Sequence, residues 1–210
     1  MAYDNISKLV LIASSTGGPK ALQSVIPFIS KKINAPVIIV QHMPKGFTAT
    51  LAARLNQMSE IDVSEVIDGE YLQNGHVYVA AGGKHLEIVQ ERRGQLQFKE
   101  NLSDPINGLR PCANVTFTSL VSASLEFIVC AVLTGMGADG CLGISELKKE
   151  HNIYTIAQNR ETCVVYGMPR AVVDSGNADA ILPLDNIAGE INNKMGVHEN
   201  GFKSISGNVY

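Results

Sequence analysis

No apolar stretch in the 210 residues approaches the roughly 20 that a membrane span needs. Residues 1–8 are acidic and polar where a secretory leader would have a basic start and an apolar core. Basic residues nowhere cluster. Arg92-Arg93 and Lys148-Lys149 are short pairs beside turns, and a net charge of −3 excludes a nucleic-acid footprint. The four cysteines, Cys112, Cys130, Cys141 and Cys163, form no C-x-x-C pair and have no histidine at metal spacing. They read as free thiols, with no disulfide framework, zinc site or other cofactor. The phosphate- and dinucleotide-binding patterns G-x-G-x-x-G and G-x-x-x-x-G-K-[ST] are also missing. Together these absences point to a cytoplasmic protein with no membrane insertion and no nucleic-acid partner.

What is present is a sequence 45% hydrophobic and 18% charged, the balance of a compact globular domain. Residues 8–13, 36–40 and 126–133 are near-continuous apolar runs, as expected of strands buried on both faces of a parallel sheet. Each leads through a turn into a helical stripe: Leu22, Val25, Ile26 and Ile29; Leu51, Leu55 and Met58; Leu142, Ile144 and Leu147. Thr48 is placed to cap the second of these helices. Further strands are expected at residues 153–157 and 180–182, with helices over 115–125, 187–194 and after Pro169. Between residues 63 and 100 the period changes to 2, and His76 to Ala80, Leu86 to Val89 and Gln95 to Phe98 read as short antiparallel strands. The fold class is therefore α/β: a doubly wound, mostly parallel open sheet with helices on both faces and an antiparallel hairpin insertion near the sheet edge. Residues 1–195 form one domain, and residues 196–210, polar and aperiodic, a flexible tail.

Sites in such sheets lie outside the carboxyl ends of the strands, which singles out three loops. Ser15 stands in Ser14-Ser15-Thr16-Gly17-Gly18-Pro19, a strand-to-helix turn resembling a nucleophile elbow, although Ala13 replaces the first glycine of G-x-S-x-G. Helix capping by Ser14, Ser15 and Thr16 is the alternative. His42 follows the second strand in Gln41-His42-Met43-Pro44. Asp139 lies among Gly135, Gly137 and Gly140, and either orients a histidine or caps the helix that follows. A Ser-His-Asp triad needs these residue types to converge, and here they emerge on one edge. The chain order Ser, His, Asp differs from that of the α/β-hydrolases. His85 is a reserve candidate, read as structural, and His76, His151 and His198 as turn or tail residues.

These three blocks resemble the signature segments of the bacterial chemotaxis protein-glutamate methylesterases. Further segments agree: Gly83-Lys84-His85-Leu86, Arg110-Pro111, and Ala157-Gln158 through Gly167-Met168-Pro169-Arg170-Ala171. The resemblance implies Ser15, His42 and Asp139 as the catalytic residues, Met136 as an oxyanion donor through its backbone N–H, and Thr16 as a site-lining residue. It implies an enzyme, a carboxylic ester hydrolase releasing methanol from γ-glutamyl methyl esters on methylated chemoreceptor proteins, which also deamidates specific glutamines. A receiver domain ahead of residue 8 is not part of the sequence, so a separate response-regulator chain becomes a candidate partner. Two further departures are the absence of a proline in Ala80-Ala81-Gly82-Gly83, and Cys112 and Asn114 where Ser and Asp are common; both are expected to lie away from the triad. The alternatives are a stand-alone serine hydrolase of another ester or amide, and a non-catalytic signalling scaffold.

Overall fold

Apolar runs that are buried on both faces form the middle of the sheet. In strand β1, Lys8–Ser14, Leu9, Leu11 and Ala13 enter one core while Val10 and Ile12 enter the other. The same division runs through β2, Val37–Gln41, and β7, Phe127–Val132. With β3 (Asp62–Glu65), β4 (His76–Val79), β8 (Ile153–Gln158) and β9 (Ala180–Leu182) they build a parallel sheet of order β3-β4-β2-β1-β7-β8-β9. The computed structural model describes residues 6–91 and 94–197. The predicted tail beyond residue 197, the Arg92-Arg93 turn and His198 lie outside them.

Helices α1 (Gly18–Val25), α2 (Phe47–Met58) and α6 (Leu184–Lys194) cover one face through Leu22, Leu55 and Ile191. Helices α3 (Ala113–Thr118), α4 (Cys141–Glu150) and α5 (Met168–Asp174) cover the other through Phe117, Leu147 and Val172. The doubly wound architecture is as expected. Among the described residues no helix is long and apolar enough to cross a membrane.

Two local expectations change. His76 to Ala80 is not an antiparallel strand; β4 lies parallel between β2 and β3 in the main sheet. Its alternation looked half-exposed because Tyr78 interrupts the valines. Tyr78 is fully buried, however, against the antiparallel hairpin β5 (His85–Gln90) and β6 (Leu96–Asn101), where Phe98 meets its ring edge-on at 4.8 Å. The helix expected over residues 115–125 is only Ala113–Thr118. Hydroxyls compete for its carbonyls: Thr118 Oγ1 donates to Asn114 O, and Ser119 Oγ donates to Thr116 O while accepting the Ile88 N–H of the hairpin.

The hairpin adheres to the sheet through Leu86, Ile88, Leu96 and Phe98, all essentially inaccessible. Phe98→Ala is therefore expected to cost about 3–5 kcal/mol, read as a lower urea midpoint. An unchanged midpoint would mean that the hairpin is not anchored there.

Candidate active site

β1 is where the winding reverses, since the chain runs from it to β2 on one side and later returns to β7 on the other. Ligand sites of open α/β sheets form in the crevice at such a switch point. The loops that leave these three adjacent strands carry Ser15, His42 and Asp139, so all three residues expected of a triad emerge at one edge.

Ser15 follows β1 directly. Its N–H donates to Thr134 O at 3.0 Å, and its carbonyl accepts from Gly18 N at 2.8 Å and Gln41 Nε2 at 3.1 Å. The capping alternative fails, because Gly17 is the N-cap of α1 and no side chain caps it. Ser14 Oγ instead donates to Gln41 Oε1 at 2.6 Å. Nor does Thr48 cap α2: the N-cap is Gly46, and Thr48 Oγ1 bonds Glu65 and accepts the Gly82 N–H. A Cβ on Gly18 would collide with Gln41 Oε1, so the turn closes only because glycine stands there.

His42 donates its backbone N–H to Ser14 O at 3.1 Å, which ties the ends of β1 and β2 together. Its Nε2 lies 2.7 Å from Asp139 Oδ2, with side chains 6% and 4% exposed respectively. His42 Nδ1 is buried without a hydrogen-bond partner, and Ser15 Oγ makes no hydrogen bond to a described residue. Catalytic contacts of this kind often tighten only when substrate arrives.

The Asp139 carboxylate collects donors from three segments. Oδ2 also accepts Ala113 N at 2.6 Å, and Oδ1 accepts Asn114 N at 2.9 Å, Gly140 N at 3.0 Å and the Cys112 thiol at 3.1 Å. Burial pushes the carboxyl pKa up, but the bonds from His42, Asn114, Cys112 and Ala113 outweigh it, and the net shift is downward. Cys112 and Asn114 thus do touch the group from which they were expected to stand apart. The following helix is capped from a distance, by Asn114 Oδ1 accepting Gly140 N and Gly143 N at 3.0 and 2.9 Å.

The glycine-rich loop after β7 is held by Thr134 and Gln158. Thr134 Oγ1 donates to Thr16 O and accepts Val165 N, both at 2.9 Å, while Gln158 Oε1 accepts Thr134 N at 2.8 Å. A Cβ on Gly135 would meet Ser15 Cβ at 2.8 Å, so this loop presses directly on the serine. Among the described residues nothing accepts the Met136 N–H, and the residue is 74% exposed. Thr16 is exposed at the same turn. An open groove of about 620 Å³ runs from Asp139 and Met136 past Cys112 and Leu142 to Ile106. Among the described residues no cluster of three or more His, Cys, Asp or Glu side chains could hold a metal ion.

His85 is fully buried and reaches the Asp104 carbonyl at 3.1 Å. His76 pairs with Ser64, and His151 with the Leu120 and Val121 carbonyls. Sequence reasoning assigned no role at the site to Gln41, Cys112, Asn114, Thr134 or Gln158. A signal existed for the two glutamines, because each ends an apolar strand, and a buried amide must find partners.

The family model for CheB methylesterase matches residues 10–191. The protein-glutamate methylesterase/protein-glutamine glutaminase of Geobacillus kaustophilus is 48% identical over 183 residues, covering 87% of this chain and 52% of that protein. The Bacillus subtilis protein of the same description is 44% identical over 184 residues, covering 88% and 51%. The chain therefore spans about half the length of the curated relatives it matches. The crystal structure of the Thermotoga maritima CheB methylesterase catalytic domain superposes with a TM-score of 0.85 at 40% identity, over 90% of this chain and 98% of that one.

The downward shift at Asp139 has a consequence for stability. A carboxyl with a folded pKa below its unfolded value stabilises the fold above the unfolded value, and this contribution is lost as pH falls through the folded one. Asp139→Asn, which turns an amide N–H₂ toward N–H donors, is expected to cost about 1–3 kcal/mol at neutral pH. Urea unfolding should show that deficit shrinking from about pH 5 downward. A deficit independent of pH would contradict the ionised, hydrogen-bonded carboxylate.

Proposed function

Because the chain belongs to the CheB methylesterase family, we propose that it hydrolyses γ-glutamyl methyl esters on chemoreceptor proteins in the cytoplasm, releasing methanol. Ser15 is the nucleophile, His42 the base, and Asp139 its orienting partner. One observation carries this reading: the buried His42–Asp139 bond of 2.7 Å, beside Ser15 at the switch point of the sheet.

The bond also assigns the nitrogens. An ionised carboxylate only accepts, so Nε2 carries the hydrogen and Nδ1 holds the lone pair. Nδ1 is thus the basic atom, the reverse of the serine-protease arrangement, where Nδ1 faces the aspartate. Ser15 Oγ adds to the ester carbonyl as its proton passes to Nδ1, a step to which a positioned base contributes roughly 10²–10⁴-fold. The developing oxyanion meets the Met136 N–H and the N–H at Thr16, and one such donor is worth about 10²–10³ in rate. The tetrahedral intermediate expels methanol, which takes the proton from Nδ1. Water then attacks the acyl-serine, again losing its proton to Nδ1, and free Ser15 and the glutamate carboxylate are regenerated.

A glutamine side chain follows the same course with ammonia as leaving group, the second activity in the relatives' description. A response-regulator chain is a candidate partner for control. The groove beside Asp139, with Ile106, Met136 and Leu142 exposed, suits the apolar flank of a receptor helix.

Ser15→Ala should reduce methanol release from methylated chemoreceptor on the order of 10⁴-fold or more, and adding His42→Gln should cost little beyond it. Near wild-type release by Ser15→Ala would overturn the nucleophile assignment. Free energies that simply sum would overturn the single catalytic unit. Hydrolysis of p-nitrophenyl esters without turnover of methylated receptor would instead assign a different substrate.

A further inference from the structure

Of the five donors to Asp139 among the described residues, four are fixed: three backbone N–H groups and the His42 ring. The fifth is the Cys112 thiol, which can be exchanged without moving the main chain. Cys112 is 1% exposed, and its sulfur lies 3.1 Å from Oδ1. Burial first, then the charge and hydrogen bond of Asp139, push its pKa up to about 12, so the sulfur keeps its hydrogen throughout the working pH range. An ionised carboxylate only accepts, so the S–H points at Oδ1.

We infer that Cys112 is a positioning residue for the reaction: its weak S–H bond to Asp139 sets how much carboxylate charge is left to hold the His42 imidazolium. The inference rests on reading Ser15, His42 and Asp139 as one catalytic unit. A thiol is a poor donor compared with a hydroxyl. A hydroxyl at this place would withdraw more charge from Asp139 and weaken its hold on the protonated ring. An apolar side chain would withdraw none and strengthen it. Among the described residues, His42 from the end of β2 and Cys112 from the start of α3 are the titratable groups that face Asp139. From the α4 side the contact is the neutral Gly140 N–H, while Cys141 Sγ turns away to Ala171 O and Ser175 Oγ. Among the described residues no lysine or arginine pairs with Asp139.

The test compares the wild-type residue with Cys112→Ser and Cys112→Ala in two readouts. One is the NMR titration of the His42 imidazole in a Ser15→Ala background, and the other is the acid limb of kcat/KM for methyl-ester hydrolysis in active enzyme. Cys112→Ser should move the titration and the acid limb to lower pH, and Cys112→Ala to higher pH. Each shift should be about half a pH unit, a roughly threefold change in the ratio of protonated to neutral ring at fixed pH. A merely structural cysteine would lower activity in both variants and leave the midpoint unmoved. Unmoved midpoints, or shifts in the same direction, overturn the inference. If Cys112→Ala is not recovered folded, Cys112→Ser decides alone: a downward shift supports the inference, and an unmoved or upward one overturns it. Because the titration needs no turnover, opposite shifts in an enzyme that cleaves no methyl ester would sink the proposed activity and leave the Cys112 coupling standing.

Discussion

A carboxylate withdrawn from water keeps its charge only if hydrogen bonds replace the hydration it has lost. Asp139, with 4% of its side chain exposed, meets that condition by drawing on three parts of the chain. The start of α3 gives two N–H groups and a thiol, its own loop gives Gly140 N–H, and the end of β2 gives the His42 ring. Each donor is bonded on this one group, so the loop before α3, the turn into α4 and the exit of β2 are placed relative to one another by a single anion. The arrangement is costly to break from any side, since a missing donor exposes the charge and a missing charge strands the donors.

The rest of the edge is held by neutral amides. Gln41 accepts from Ser14 Oγ and donates to the carbonyls of Ser15 and His42, so it spans the exits of β1 and β2. Gln158 and Thr134 do the same for the exits of β7, β8 and the loop at Val165. Glycine completes the construction at Gly18 and Gly135, where a methyl group would occupy the space of Gln41 or Ser15. Rigidity at the proposed site thus comes from polar stitches across the ends of strands whose middles are wholly apolar.

Much of this was legible in the sequence because its physics is local. Double-sided burial makes a continuous apolar run, as in residues 8–13 and 126–133, and the three loops at the strand ends follow from the parallel order. What was not legible depends on contacts across the fold. Tyr78 reads as a polar interruption until the hairpin is seen to cover it, so the local pattern points β4 to the wrong kind of sheet. Thr118 and Ser119 look compatible with a helix until their hydroxyls are seen to take its carbonyls. Cys112 and Asn114 looked remote from Asp139 because separation along the chain says nothing about where the start of α3 is aimed.

The orientation of the His42 ring has a mechanical side. With Nε2 engaged by Asp139, the nitrogen left for proton transfer is the one bonded next to the ring's attachment carbon, close to the pivot of the side chain. A proton acceptor at the near end of the lever is displaced less by ring rotation than one at the tip. The far end, where motion would be largest, is the end anchored to the carboxylate. On the proposed reading, the placement of that nitrogen follows in part from the exit of β2, which the His42 N–H ties to Ser14 O at the end of β1. A small dislocation of those two strands would therefore reach the base directly, even with the tip of the ring still held by the carboxylate.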